Sequence, residues 1–446
     1  MQTQVENMHV IVGLGKTGLS CARHLRRMNI PFIAVDTRAE PPGIAEFRRE
    51  FPDVRTECGA LQADTLCAAH ALVMSPGVDL REPALRKAVA KGVRVTGDVD
   101  IFARLAPAPL VAITGSNGKS TVVTLVGAMA QEAGLRTAVA GNIGTPVLDL
   151  LADAPYQLYV LELSSFQLET TTNLGATVAT VLNMSPDHMD RYDSMQAYHR
   201  AKHRIFQSCR HVVVNRDDAL TRPLLPPTIN VTSFGLGPEE SRDFSVVEHA
   251  GKPHLAHDRR PLLAVAELRI AGRHNIANAL AALALGRAAG LAWEPMLAAL
   301  RTFTGLPHRC QWVATLDQVS WYNDSKGTNV GATVAAITGL GSTAKVVLLA
   351  GGVGKGQSFA ELGPVMKRFG TLAILFGEDA DRIEAALGGS VPVRRAHSLQ
   401  DAVDQARTQA RPGDLVLLSP ACASFDMFNN YEHRGQVFME SVRALH

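Results

Sequence analysis

Ile113-Thr-Gly115-Ser-Asn-Gly118-Lys119-Ser120-Thr121 places a glycine turn, a lysine and two hydroxyls at the mouth of a predicted helix. The apolar run Leu110-Val-Ala-Ile113 leads in as a strand, and Thr121 to Ala133 reads as a helix closed by Gly134 at C′. Backbone N–H groups at such a helix start face whatever sits above the loop, so the stretch holds a phosphate. Glycines let the main chain approach without a Cβ, Lys119 reaches the outer phosphates, and Ser120 ligates a phosphate-bound Mg²⁺. Only two residues separate Gly115 from Gly118, where the general phosphate-loop pattern has four. The loop is therefore a variant of that pattern.

The same alternation of β-rich and helical runs continues on both sides, which points to parallel sheets covered by helices. Upstream, His9-Val-Ile-Val-Gly13-Leu-Gly15-Lys16-Thr17-Gly18, a helix to about Asn29 and then Phe32-Ile-Ala-Val-Asp36 form a dinucleotide-type fingerprint. Gly15 and Thr17 suit a pyrophosphate, and Asp36 a ribose hydroxyl. Ala71 to Met74 is a further strand, ending in the turn Ser75-Pro76-Gly77, and Ala106-Pro-Ala-Pro109 is a plausible hinge. A third change of character falls near Gly305-Leu-Pro307, after which Val346 to Leu349, Leu372 to Phe376 and Leu415 to Ser419 alternate with helices. The expected architecture is α/β in three domains: a Rossmann-like unit over 1–97, a central phosphate-loop parallel-sheet unit over 98–305 and a Rossmann-like unit over 306–446.

Composition narrows the class. The chain has 446 residues, 46% hydrophobic and 19% charged, enough for several cores. A net charge of +2, with no continuous Lys/Arg track, argues against nucleic acid as an obligate partner. Met1 to Met8 is polar and runs into a strand, so no signal peptide is expected. The most apolar helical stretch, Ala277 to Leu291, is too short to span a bilayer. Cysteines 21, 58, 67, 209, 310 and 422 never approach Cys-x-x-Cys spacing, so buried reduced thiols of a cytoplasmic protein are expected.

Several acids, imidazoles and amides sit where chemistry would need them. Tyr159 to Leu161 is an apolar run ending in Glu162, a strand-end carboxylate of the kind that positions Mg²⁺ beside a phosphate loop. After the β run Val178 to Leu182, Asn183-Met-Ser-Pro-Asp187-His188-Met-Asp190-Arg191 packs an imidazole among carboxylates, a place for a second metal. Asn275 and Asn278 open a long Ala/Leu helix. Gly351-Gly352-Val-Gly354-Lys355-Gly356 reads as a strand-to-helix turn presenting one cation to an anion.

Taken in order, Thr114-Gly-Ser-Asn-Gly-Lys-Ser-Thr121, Gly141-Asn-Ile-Gly144, Leu161-Glu-Leu-Ser-Ser-Phe-Gln-Leu168, Asp187-His-Met-Asp-Arg-Tyr192, Gly272-Arg-His-Asn275, Gly305-Leu-Pro-His-Arg309, Asn323-Asp-Ser-Lys-Gly-Thr-Asn329 and Ser419-Pro-Ala-Cys-Ala-Ser-Phe-Asp426 resemble the Mur ligases, and among them the branch adding D-glutamate. The resemblance runs from Val10 to about Phe438. It implies a monomeric cytoplasmic enzyme of peptidoglycan assembly. ATP would activate the carboxylate of UDP-N-acetylmuramoyl-L-alanine as an acyl phosphate, and the amine of D-glutamate would displace the phosphate.

By the same resemblance, Gly115, Ser116, Asn117, Gly118, Lys119, Ser120, Thr121, Asn275, Asn278, Arg309 and Asp324 would hold ATP. Two Mg²⁺ sites would draw on Ser120, Glu162, His188 and Lys202, the last carbamylated, and Lys119, Glu162, His188 and Lys202 would carry the chemistry. Gly15, Lys16, Thr17, Asp36, Thr37, Arg38, Gly77, Asn142, Ser164 and His188 would hold the UDP substrate, and Thr328, Lys355, Ser424 and Tyr431 the D-glutamate. Tyr431 stands where the family usually has Phe, and Lys16 where it often has an apolar residue. A folylpolyglutamate synthetase would share the phosphate loop but not the Gly-x-Gly unit. A dinucleotide oxidoreductase would leave the Gly115 loop idle, and a nucleotide-gated binding module would not need an acidic amino-acid pocket.

Overall fold

The computed structural model describes residues 7–445 except 154, 225, 227, 238–242, 271 and 342–343, so all but the last two residues of the Met1 to Met8 stretch lie outside it. Three sheets organise the chain. The first has five parallel strands in the order Thr56–Cys58, Phe32–Asp36, His9–Val12, Ala71–Met74, Arg94–Gly97. The order reverses between His9–Val12 and Ala71–Met74, and the crevice there is where an open α/β sheet receives a ligand. Two glycines are obligatory at that crevice. A Cβ on Gly13, which sits at φ +102°, would lie 2.7 Å from the Ser75 Cβ, and one on Gly18 would lie 2.0 Å from the Gly13 carbonyl oxygen. Helix Lys16–Arg27 can pack this close only because of them.

The second sheet runs Arg260–Ala264, Lys252–His257, Phe244–His249, Asn230–Phe234, His211–Asn215, Val178–Val181, Leu110–Thr114, Leu158–Glu162, Thr137–Gly141. Its six strands from Asn230–Phe234 to Thr137–Gly141 are parallel, with fully buried centres such as Leu110–Thr114. The other three form an antiparallel meander joined at the Phe234–Phe244 pair. Sequence periodicity did not reveal this meander, because its strands Phe244–His249 and Lys252–His257 are polar at their shared turn and bury only part of one face. Helix Lys119–Glu132 begins two residues earlier than predicted, since Gly118 at φ +80° turns the chain straight into it. Gly134 closes it at φ +77°, donating to Gln131 O while Leu135 N donates to Ala130 O.

The third sheet is ordered Gln311–Leu316, Val319–Asn323, Leu415–Leu418, Val346–Gly351, Gly370–Phe376, Val393–Arg395. Only its first pair is antiparallel. Helix Tyr431–Arg443 is pinned to it through Arg434, wholly buried, whose guanidinium donates to Ser325 Oγ, Ser325 O and Cys422 O. The predicted α/β architecture of three parallel-sheet units is what the chain forms. All six cysteines are free, but only Cys21, Cys209 and Cys422 are buried; Cys58, Cys67 and Cys310 are part-exposed. Among the described residues no helix is long and apolar enough to cross a membrane.

Candidate active site

The carboxyl ends of the second sheet's strands bring the phosphate-loop residues together with the strand-end acid. Ser120 Oγ donates to Glu162 Oε2 at 2.5 Å, and Asn142 Nδ2 donates to Glu162 Oε1 at 2.8 Å. Gly141 must be glycine to present Asn142 there, for at φ +104° its Cβ would stand 2.2 Å from the Glu162 carbonyl oxygen. Burial alone would raise the Glu162 pKa; Lys119, the Asn142 and Ser120 hydrogen bonds and Arg309 outweigh it and keep the carboxylate below its ordinary value. It is an anion at neutral pH.

Two lysines meet under the loop. Lys119 Nζ donates to the carbonyls of Gly115 and Ser116, each at 2.9 Å, and burial lowers its pKa against the pull of Glu162 and Asp187. Lys202, on helix Met195–His203, is only 2% exposed. Its Nζ donates to Gly115 O at 2.8 Å and lies 4.8 Å from the Tyr198 ring centre. Burial, then the neighbouring Lys119 charge, push its pKa well down, toward a neutral amine.

The loop after Val178–Val181 carries Asp187 and His188, the latter at φ +56°. The His188 ring meets Phe166 edge-on at 4.8 Å, and burial brings its pKa down to about 4, opposed by Asp187. A neutral imidazole keeps a lone pair for a metal. Arg191 from the same loop donates to Pro76 O at 3.3 Å and Val78 O at 3.1 Å and pairs with Glu169. That ties the Gly77 turn of the first sheet to the His188 loop.

The third lobe closes over this face. Arg309 Nη2 donates to Ser120 Oγ at 2.7 Å, and Lys355 Nζ reaches Asp187 Oδ1 at 2.6 Å. Asn329 caps helix Val330–Leu340 and exchanges amide hydrogen bonds with Asn117 at 3.1 and 3.3 Å. Its Nδ2 also reaches Asp187 Oδ2 at 3.2 Å. Burial disfavours the Asp187 anion; Lys355, His188 and Lys119 together more than offset that and hold its pKa low. The cation predicted at the Gly351 to Gly356 turn thus meets its anion within the chain.

Between the second and third lobes lies a cleft of about 810 Å³ lined by Asn117, Gly118, Thr121, Asn275, Asn278, Arg309, Asp324 and Lys326, a size that suits a nucleotide. Asn278 Nδ2 donates to Asn275 Oδ1 at 3.1 Å. Asp324 accepts from Ser419 Oγ at 2.7 Å and Cys310 N at 3.1 Å, and burial raises its pKa to about 6. Gly115, Ser116, Lys119 and Ser120 belong to the same loop but do not line the cleft. Lys326 was not singled out in the sequence, although it sits between Asp324 and Thr328. Its Nζ stands 3.6 Å over the Tyr431 ring, and burial brings its pKa to about 8. Asn329 also emerges here, and in the turn that carries Asp187, Asn183 Oδ1 accepts from Asn117 N at 2.8 Å.

Of the remaining sequence candidates, Asp36, Arg38, Ser164 and Tyr431 have partners within the chain. Asp36 accepts from Leu14 N at 2.7 Å and from Arg38 N, Nε and Nη2 at 2.7 to 2.9 Å, so it braces the glycine loop. Gly15 is open, with nothing near its missing Cβ, and Lys16 and Thr17 begin the helix behind it. Thr37 and Arg38 follow Asp36 at the same sheet edge. Ser164 caps helix Ser165–Glu169 in a reciprocal box with Gln167. Thr328 is half-buried and Ser424 buried, both in the third lobe, while Tyr431 lies beneath Lys326 and 6.1 Å from the His308 ring.

Among the described residues no three His, Cys, Asp or Glu side chains converge. Ser120 Oγ and Glu162 do offer adjoining oxygens, which fits a Mg²⁺ that takes one or two protein ligands and completes its shell with phosphates and water.

Three family models match the chain in succession. The family model "Mur ligase MurD-like, N-terminal domain" matches residues 7–97, "Mur ligase middle domain" 113–286 and "Mur ligase, glutamate ligase domain" 308–422. A UDP-N-acetylmuramoylalanine--D-glutamate ligase of Pseudomonas aeruginosa is 57% identical over 442 residues, 99% of this chain and 98% of the relative. One from Hahella chejuensis is 54% identical over 437 residues, 98% of each. Solved structures share the fold: a pseudomurein peptide ligase type C from Methanothermus fervidus has a TM-score of 0.63 at 17% identity, over 99% of this chain and 100% of that one. The MurF ligase of Thermotoga maritima, solved with ADP, has 0.61 at 15% identity over the whole of both chains. Full-length relatives above half identity and three family segments in order show that the chain belongs to the Mur ligase family, in its UDP-N-acetylmuramoylalanine--D-glutamate ligase branch.

Proposed function

We propose that the chain joins D-glutamate to UDP-N-acetylmuramoyl-L-alanine with ATP, working in the cytoplasm as a monomer, with residues 1–97 holding the UDP end, 98–305 the ATP and 306–446 the amino acid. The observation that carries this reading is the Arg309 to Ser120 bridge: a third-lobe guanidinium ends on the phosphate-loop hydroxyl that also bonds Glu162. An ATP spanning the cleft replaces that bridge with its own phosphates, which Arg309 grips by two donors.

A carboxylate cannot acylate an amine usefully, because oxide is a poor leaving group. The L-alanyl carboxylate therefore attacks the γ-phosphorus, the bond to ADP breaks, and the resulting acyl phosphate is attacked by the D-glutamate amine; phosphate leaves and the amine's proton is released. Such transfer depends on alignment and charge neutralisation. Lys119 turns from the loop carbonyls to the β/γ-phosphates, while Asn275 and Asn278 face the nucleotide and Asp324 its ribose. Asn142, Ser164 and His188 orient the muramoyl end, and the Gly15 to Thr17, Asp36 to Arg38 and Gly77 edge receives the uridine diphosphate. Thr328, Lys355, Ser424 and Tyr431 hold the two D-glutamate carboxylates.

Ser120 and Glu162 would hold one Mg²⁺, and His188 with Lys202 a second; bound there, the ions would neutralise phosphate charge. An ammonium at position 202 would repel such an ion. The lowered pKa of Lys202 favours the free amine, whose nitrogen bonds to the carbon of CO₂ and loses a proton, leaving a carbamate anion. The test is ADP release by the purified chain across amino acids of both hands, with and without the UDP acceptor. Release confined to D-glutamate plus acceptor is expected; none with all reactants and Mg²⁺ present refutes the reading.

A further inference from the structure

Helix Met195–His203 turns Lys202 inward and, on its outer side, sets His199 and His203 one turn apart. The two imidazoles stack with centroids 3.7 Å apart and planes inclined by 28°. Their Nε2 atoms converge on one oxygen, the carbonyl of Leu220, at 3.0 and 2.8 Å. His203 is held from behind by the Phe206 ring at 5.4 Å. Neither ring is among the residues proposed above for the ligase chemistry.

We infer that His199, His203 and the Leu220 carbonyl form a binding site for a borderline-soft divalent cation such as Zn²⁺, Ni²⁺ or Cu²⁺. In a tetrahedral centre with metal–nitrogen bonds of about 2.0 to 2.1 Å, neighbouring ligand atoms lie about 3.3 Å apart, close to the spacing of these nitrogens from the oxygen. With each ring's proton on Nδ1, both Nε2 lone pairs are free, and a cation between them and the oxygen needs ligand shifts of only about half an ångström. Both rings are half-exposed, which leaves the remaining positions to water. Among the described residues no third His, Cys, Asp or Glu side chain joins them, so the set is an open one of two nitrogens and an oxygen. Imidazole selects these ions over Mg²⁺, whose preference is for oxygen, so the site is chemically separate from that of the nucleotide. Occupied, it staples the helix bearing Lys202 to the segment Ala219–Thr221.

Metal-free full-length protein is titrated with Zn²⁺ against a chromophoric chelator in millimolar Mg²⁺, and with Cu²⁺ for electron paramagnetic resonance. One Zn²⁺ per chain at micromolar concentration is expected, with a thermal midpoint that rises on binding. His199→Gln or His203→Gln should each weaken binding at least about tenfold, and the double variant should abolish it together with the thermal shift, while His433→Gln changes neither. The Cu²⁺ spectrum of the unaltered protein should show two coordinated nitrogens, a reading that does not depend on how the variants fold. Absence of stoichiometric binding below about 100 µM, binding that survives the double variant, or a spectrum without two nitrogens overturns the site.

Discussion

Replacing Lys355 by Met removes the charge from an ion pair that joins the third lobe to the second. Lys355 Nζ and Asp187 Oδ1 are 2.6 Å apart, with side chains only 15% and 9% exposed. Deleting one partner of a buried pair costs about 3 to 5 kcal/mol, mostly because the other charge is left without compensation. The lower figure applies here, since Asn329 still donates to Asp187 and His188 stands beside it. Arg309 to Ser120, the Asn117–Asn329 amide pair and Asn329 to Asp187 are the other named links across this face, so the strain is released by lobe opening before either lobe unfolds. About 3 kcal/mol shifts the closed-to-open ratio about 150-fold. Small-angle scattering of the unliganded protein should then show an extended particle. Adding Asp187→Asn removes the stranded anion and should restore most of the closure, yet the D-glutamate KM should stay raised about 10- to 100-fold in both variants, because the cation for its carboxylate is missing in each. A single variant as compact as the wild type, or a double variant as open as the single, refutes the reasoning.

Four other outcomes follow from the geometry. Gly118→Ala forces φ +80° on a residue with a Cβ and sets that Cβ 2.5 Å from Asn278 Oδ1; an ATP KM raised at least about tenfold is expected, with about 1 to 2 kcal/mol lost in urea unfolding. Lys119→Ala should abolish ADP release while UDP-substrate binding, measured by calorimetry, stays within about threefold, because its partner is the nucleotide. Lys202→Ala should be partly rescued by acetate or propionate standing in for the carbamate; no rescue in a folded variant removes that assignment. Last, His274 is held by burial at about 4 against an ordinary 6.5. A lowered histidine pKa means that the unfolded chain binds the extra proton first, so stability is full above pH 6.5 and falls as pH drops toward 4. Its share is about 2 kcal/mol between pH 7 and pH 5, and His274→Asn should flatten the urea-midpoint profile over that window.

What could be read from the chain was whatever local geometry decides. The Gly115 to Thr121 turn, the strand-end Glu162 and the Gly13 to Gly18 crevice each depend on neighbours within a few residues, so spacing reveals them. Lys355 and Asp187 are 168 residues apart, Ser120 and Arg309 189, and Asn117 and Asn329 212, and no periodicity connects such partners. Asp36 shows a subtler limit. Its place at a strand end marks it as a ribose acceptor, but the same place lets Leu14 N and Arg38 reach it first. The polar strands Phe244–His249 and Lys252–His257 lacked the alternation that marks a half-buried sheet.

The third sheet has a consequence for biosynthesis. Leu415–Leu418 is the last of this sheet's strands to be made, yet it separates Val319–Asn323 from Val346–Gly351. Those two cannot pair across the gap, and the helix that locks the sheet through Arg434 comes later still. Until Leu415–Leu418 emerges, Val346 to Ala350 therefore remains an apolar strand with an unfilled edge, in need of shelter from other nascent chains. Termination between Gly351 and Leu415, after both earlier lobes are complete, should yield an insoluble product.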